Sequence, residues 1–235
     1  MTSAKEQTHP PIILASGSPR RQWLLSTLGL PFALERSDVE ETFTSQEDPI
    51  NLVRRLSLAK ARSVAAKHPG ALIIAADTIV VLDGQVLGKP RDAAHAQEIL
   101  SRLRGRWHQV YSGLTLLDTL QQRECLQHAI TPVRMRHYSD QEIQRYVASG
   151  DPLDKAGAYA IQHAEFAPIA EIAGCYANVV GFPLCHLYRL LCAWGITPPI
   201  HPLQACPFAQ EHDGCPWAEE ILSAAQEEWC PREKS

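Results

Sequence analysis

A short apolar run, "PIILAS", gives way at once to a helix-like pattern, "SPRRQWLLSTLG", in which Leu24, Leu25 and Leu28 form one apolar stripe. The run reads as a buried strand. Ser18 stands at the N-cap position, Pro19 fits the first helical position, and Gly29 is a natural stop. "PINLVRRLSLAKARSVAAKHPG" predicts a second helix that ends near Gly70. "ALIIAADTIVVLDGQVLG" predicts a strand, a hairpin turn at Asp83-Gly84 and a short return strand. "RDAAHAQEILSRLRG" predicts a helix with Asp92 as N-cap and Gly105 beyond its end.

"HQVYSGLTLLD" and "CLQHAITPVRMRHY" read as further strands, and Ser139 with Glu142 forms a capping box for "DQEIQRYVASG". A turn at Asp151-Pro152, a loop "LDKAGAYAIQ", a short strand in "PIAEIAG" and a core helix "PLCHLYRLLCAWG" follow. Strands and helices mix without strict alternation, which predicts an α/β fold with a mixed β-sheet flanked by helices. No internal repeat is visible.

Composition changes this picture little. The chain has 235 residues, 45% of them hydrophobic and 20% charged, enough for one large domain or two lobes. A formal net charge of −4 provides no global field for a polyanion, so no nucleic-acid partner is expected and any attraction for phosphate must be local. Met1 to Pro11 is polar, reads as a flexible N-terminus and lacks the apolar core of a signal peptide. No apolar run approaches the roughly 20 residues that cross a bilayer, so a cytoplasmic protein without membrane contact is expected. Cys125, Cys175, Cys185 and Cys192, scattered among apolar residues, read as reduced small hydrophobes.

The candidate chemistry sits where the pattern breaks. A strand feeding "ASGSPRR" and then a helix aims free backbone N–H groups at one spot, and Arg20 and Arg21 add charge there. The turn either receives an anion or is an ordinary helix start with solvated arginines; it is not a P-loop, because no Gly-Lys-Ser/Thr closes it. Asp77 lies inside "LIIAADTIVVL", where a carboxylate is costly unless something compensates it. A divalent cation, a lysine, or a strand-end position open to a cleft would do so. On the second helix Val53, Leu56, Lys60 and Val64 share one face, so Lys60 either snorkels to water or reaches a cleft as a fixed charge. Arg54, Arg55 and Arg62 fall off that stripe and are expected in solvent. "GKP", with Lys89, and "LDKAG", with Lys155, each place a lysine beside glycine or proline in a loop. Jointly these lysines, the two arginines and one semi-buried aspartate are the inventory for holding a polyphosphate with a metal.

With those residues in view, "LASGSPRRQWLLSTLG", "AADTIVVLDGQVLGKPRDAAHA", "GRWHQVYSGL" and "YVASGDPLDKAGAYAIQ…YANVVGFPL" resemble, in order, the successive motifs of the Maf family of nucleotide pyrophosphatases, over Ile12 to Trp194. The resemblance implies an inosine triphosphatase-like fold with two lobes around a cleft, a homodimer, and a divalent metal cation, Mg2+ or Mn2+. It implies an enzyme that hydrolyses a nucleoside triphosphate to the monophosphate and pyrophosphate. By matching positions it implies Asp77 as the catalytic carboxylate, and Ser16, Arg20, Arg21, Glu41, Lys60 and Lys89 as substrate contacts. It likewise implies Arg20, Thr78 and Gln162 as specificity positions, and Asp77 with Glu41 as metal carboxylates. "DKAGAYAIQ" is similar to the subfamily acting on dTTP and UTP, whereas the sister group favouring 7-methyl-GTP carries a cysteine- and glutamate-containing stretch there. Gln162 suits the former, since an amide offers both donor and acceptor to a pyrimidine edge. His163, Asp151 and Phe182 stand where the family usually has glycine, glutamate and leucine, and His163 is the one expected at the base pocket. Hydrolysis of another nucleotide, or nucleotide binding without turnover in the regulation of cell division, are the rival readings.

The resemblance ends after Gly195. Residues 196–235 begin proline-rich and predict one helix, with Pro216 near its first position, docked on the body or on a second subunit. Cys206, Cys215 and Cys230, with His201 and His212, lack the short CxxC spacing of a structural zinc site. The expected organisation is therefore an N-terminal segment 1–11, a nucleotide pyrophosphatase domain 12–195 and an extension 196–235.

Overall fold

The first apolar run becomes strand β1 (Ile12–Ala15), buried along its whole length. The computed structural model describes residues 9–40, 42 and 47–224. β1 lies parallel between β2 (Ala33–Glu35) and β3 (Leu72–Leu82). β4 (Gln85–Leu87) folds back on the end of β3 through the expected hairpin, with Asp83 at φ 50° and Gly84 at φ 76°, the left-handed pair a two-residue turn requires. On the other edge of β3 the sheet continues antiparallel through β5 (Trp107–Asp118), β6 (Arg123–Met135) and β7 (Ile169–Ile172), seven strands in all.

Alternation along β3 sorts what covers each face. On one face Ile73, Ala75, Ile79 and Val81 lie under helix α2 (Pro49–Ala65), whose N-cap Asp48 accepts the N–H groups of Ile50 and Asn51 at 3.0 Å. On the other face, Leu72, Ile74 and Ala76 pack under α1 (Pro19–Ser26), α5 (Tyr176–Val180) and α6 (Leu184–Ala193). Val80 and Leu82, farther along, pack under α3 (Ala93–Leu103) and α4 (Asp140–Ala148). Four core clusters thus share strand β3, two on each face of the sheet. Helix α2 approaches β5 so closely that a Cβ on Gly113 would stand 2.1 Å from the Val53 carbonyl oxygen. Nearby, the buried hydroxyls of Ser57 and Thr115 meet at 2.8 Å.

Four readings of the pattern need correction. Ser18 occupies the N-cap position of α1 but makes no side-chain cap. β2 and α5 were not expected; each is very short, and β2 is mostly exposed, so neither leaves a hydrophobic period. The extension forms three short helices among its described residues: α7 (Pro202–Ala205), α8 (Pro207–Glu211) and α9 (Ala218–Ser223). Pro207 forces Cys206 into extended backbone, φ −75° and ψ 123°, and so separates α7 from α8. The extension docks on the body: Ala205, Cys206 and Ala209 join the core under α1 and α6, and Ile200 N–H donates to the Leu28 carbonyl at 3.1 Å. Arg189 of α6 donates to the carbonyls of Ile221, at 2.6 Å, and Ala224. Cys230 lies outside the described residues. Among them no helix is long and apolar enough to cross a membrane.

Candidate active site

The site forms where two parallel neighbours differ in length. β1 pairs with β3 only from Leu72 to Ile74 and stops at Ala15, whereas β3 runs on to Leu82. The edge of β3 that β1 leaves stays open from Ala75 until β4 takes it up at Val80. Asp77 and Thr78 point to opposite faces of the sheet, yet both reach the opening, because no strand among the described residues pairs with the edge between them. Asp77 is therefore a mid-strand residue and not a strand-end one; the strand that ends beside it is β1.

A cleft of about 580 Å³ occupies this gap. Ser16, Arg20 and Arg21 enter it from the β1–α1 turn, and Lys60 from α2. Lys89 enters from the loop after β4, and Gln162 from the loop that follows α4. Glu41 lies outside the described residues. A larger cavity of about 1090 Å³ lies beside the β5–β6 hairpin, but its cations are matched: Arg62 pairs with Glu124 at 2.9 Å and Arg123 lies 4.1 Å over the Trp194 ring. In the smaller cleft several cations and a carboxylate converge.

Lys60 does not snorkel. Its Nζ donates to Asp77 Oδ1, and the two residues are only 7% and 4% exposed. Of the three ways to compensate a carboxylate in this strand, the structure shows a lysine against it and an open cleft beside it. The lysine in turn stands where it does because α2 can lie down on Gly113, the residue paired with Asp77 across the β3–β5 ladder.

In the β1–α1 turn Ser16 Oγ accepts the Ser18 N–H at 3.2 Å, while the side chains of the turn leave the first N–H groups of α1 uncapped. Arg21 is engaged by the protein: its Nε donates to the Gly181 carbonyl at 2.9 Å and its Nη2 to Thr78 Oγ1 at 3.1 Å. Thr78 Oγ1 also meets Ser112 Oγ at 2.8 Å, so Arg21 and Thr78 lock α1, β3 and the end of α5 together. Sequence reasoning missed Arg36, which also lines the cleft. Its Nε would stand 2.8 Å from a Cβ on Gly17, so the glycine between Ser16 and Ser18 lets a guanidinium lie across the turn. That glycine was the available signal.

Lys155 lines the cleft with Lys60 and Lys89, but it is buried and also serves its own loop, donating to Asp151 Oδ1 at 2.9 Å and Asp154 Oδ1 at 2.7 Å. His163 is not at the cleft wall. Its ring turns against Tyr146, with centroids 4.7 Å apart, and its Nδ1 accepts the Phe166 N–H at 3.0 Å. Tyr159, another wall residue that the pattern did not mark, shares its hydroxyl with His108 Nε2 at 2.8 Å. Burial depresses the His108 pKa to about 4 and raises that of Tyr159.

Among the described residues no three His, Cys, Asp or Glu side chains come together as a metal site. Asp77 and Asp154 are the carboxylates among the described residues that line the cleft. What the geometry can do is hold a row of phosphates between Arg20, Arg36, Lys60 and Lys89 while Asp77 faces them from the open strand edge.

Comparison with known proteins is consistent along the body of the chain. The family model described as "Maf-like protein" matches residues 11–194. A dTTP/UTP pyrophosphatase of Symbiobacterium thermophilum is 48% identical over 184 residues, 78% of this chain and 94% of that protein. A dTTP/UTP pyrophosphatase of Carboxydothermus hydrogenoformans is 47% identical over 184 residues, 78% of this chain and 98% of its own length. A dTTP/UTP pyrophosphatase of Thermomicrobium roseum is 42% identical over 206 residues, 84% of this chain and 94% of its own.

Proposed function

The chain belongs to the Maf family, and from that premise we propose that it is a nucleoside triphosphate pyrophosphatase that hydrolyses dTTP and UTP to the monophosphate and pyrophosphate. The observation that carries this reading is the buried Lys60–Asp77 pair at an open strand edge, facing further cations across one cleft. A protein that only bound the nucleotide would have no use for a carboxylate beside the phosphate row.

The step is an in-line displacement. Water oxygen bonds to the α-phosphorus, the bond from that phosphorus to the bridging oxygen breaks, and pyrophosphate leaves with the electron pair. Lys60 holds Asp77 Oδ1, which leaves the second carboxylate oxygen to orient the water and accept its proton. Arg20, Arg36 and Lys89 hold the phosphates, and the uncapped N–H groups of α1 add donors at the same spot. Arg21 acts one step back, fixing Thr78 and Gly181. A divalent cation, Mg2+ or Mn2+, held by Asp77 and the substrate's phosphate oxygens, would supply charge neutralisation when bound. Gln162, at the far wall, reads the pyrimidine edge.

The test is one panel of nucleoside triphosphates with Mg2+ or Mn2+, scoring pyrophosphate against orthophosphate. dTTP and UTP are expected to lead, with pyrophosphate as first product; orthophosphate first would reject attack at the α-phosphorus. Asp77→Asn keeps an acceptor for Lys60 and should fold normally while losing turnover by about a thousandfold or more. Full activity in that variant would remove Asp77 from the role.

A further inference from the structure

The turn that carries Gln162 is held from behind by a residue outside the cleft wall. Tyr146, on α4, donates its hydroxyl proton to Asp151 Oδ2 at 2.6 Å and accepts the backbone N–H of Ala160 at 3.0 Å. Its ring stacks on Phe166 with centroids 4.3 Å apart and meets His163 edge-on at 4.7 Å. Ala160 and His163 bracket Gln162, so both flanks of the turn are tied to one side chain. The tie extends into rigid structure. The Phe166 carbonyl accepts Arg136 Nη2 at 2.6 Å, and the same nitrogen donates at 2.7 Å to Glu142, the capping-box residue of α4.

Asp151 fastens the start of the same loop. Its Oδ1 accepts a hydrogen bond from Lys155 Nζ, and its Oδ2 accepts one from the Tyr146 hydroxyl. Burial pushes the Asp151 pKa up, but the hydrogen bonds from Tyr146 and Lys155 outweigh it and hold the carboxyl below its ordinary value. Burial and the neighbouring Asp151 carboxylate both raise the Tyr146 pKa, so its hydroxyl stays protonated and remains a donor.

We propose that Tyr146 is a positioning residue for base selection: from α4 it fixes the backbone on both sides of Gln162, so that the amide is presented to a pyrimidine from one fixed place in the cleft. The inference rests on the pyrophosphatase reading above. Thymine and uracil present an N–H donor at N3, whereas cytosine presents an acceptor there. An amide on a turn free to shift can reach a place where either pattern is met, because it carries one donor and one acceptor end. Held in place, it satisfies one pattern and leaves the other base with an unmatched polar group, which is the larger source of discrimination.

The test is Tyr146→Phe, which removes the hydroxyl and keeps the stack on Phe166. Pyrophosphate release from dTTP and dCTP is measured for both proteins, with kcat and KM separated. The preference for dTTP over dCTP is expected to fall about tenfold, through a higher KM for dTTP, with kcat on dTTP changing by about twofold or less. A folded variant with an unchanged preference overturns the proposal, even if its melting temperature or its overall activity drops. Should Tyr146→Phe fail to fold, Asp151→Asn, which removes the charge from the hydroxyl's acceptor, is read by the same ratio and the same criterion. Absence of pyrophosphate release from dTTP and UTP by the unmodified protein would overturn the pyrophosphatase reading, and this inference with it.

Discussion

Lys60 and Asp77 show how a site can be built from two residues that are each unfavourable alone. Both are almost wholly buried at the cleft wall, and there each offsets the charge of the other. Lys60→Ala would take the paired cation from a carboxylate that is almost wholly buried in the cleft wall and should cost about 3 kcal/mol of stability. Urea unfolding checks this, and a loss well under 1 kcal/mol would mean that water reaches the pair. His108 makes a pH prediction. Its folded pKa of about 4 lies below the ordinary 6.5, because burial disfavours the charged ring. Below pH 6.5 the unfolded chain takes up a proton that the folded one refuses. Stability should therefore fall as pH drops from 6.5 through 4, by up to about 3 kcal/mol. His108→Gln, which still offers Tyr159 a hydrogen bond, should flatten that slope in a series of thermal melts.

Single elements reach the cleft through a few contacts that fix their position. Helix α2 brings Lys60 to Asp77 only because Gly113 has no side chain where the Val53 carbonyl passes. Gly113→Ala should push α2 outward, destabilise the fold by about 2 kcal/mol and weaken activity through Lys60. A variant with unchanged melting and turnover would show that α2 can shift without loss. The stripe on α2 was legible, and so was the placement of Lys60 on it, because a helix repeats every few residues. That a glycine in a distant strand makes room for it was not, since nothing in "VYSGL" says which face that glycine presents or what crosses it. The capping box of α4 was legible for the same local reason, with Ser139 and Glu142 satisfying each other within one turn. The use of α4 as an anchor for the loop two elements later was not.

Across the whole molecule, the extension is part of the core. Ala205, Cys206 and Ala209 cover apolar residues of α1 and α6, and Arg189 holds the last described turn. Ending the chain at Gly195 should lower the melting temperature by roughly 10 °C, the equivalent of about 3 kcal/mol of lost burial. A melting curve of the shortened chain that matches the full one would mean the extension rests on the body without stabilising it. By itself the sequence determined the helices with their caps, the hairpin, the mixed α/β class and the family motifs. All of these depend on neighbours within a turn or on alternation along one strand. Only the tertiary structure decided that β1 stops short beside β3, that Lys60 answers Asp77, that Arg36 crosses Gly17, and that His163 faces Tyr146 and not the cleft. Each of these is a contact between segments far apart in the chain. Its existence depends on where strands end and which faces meet, and no local pattern of residues encodes that.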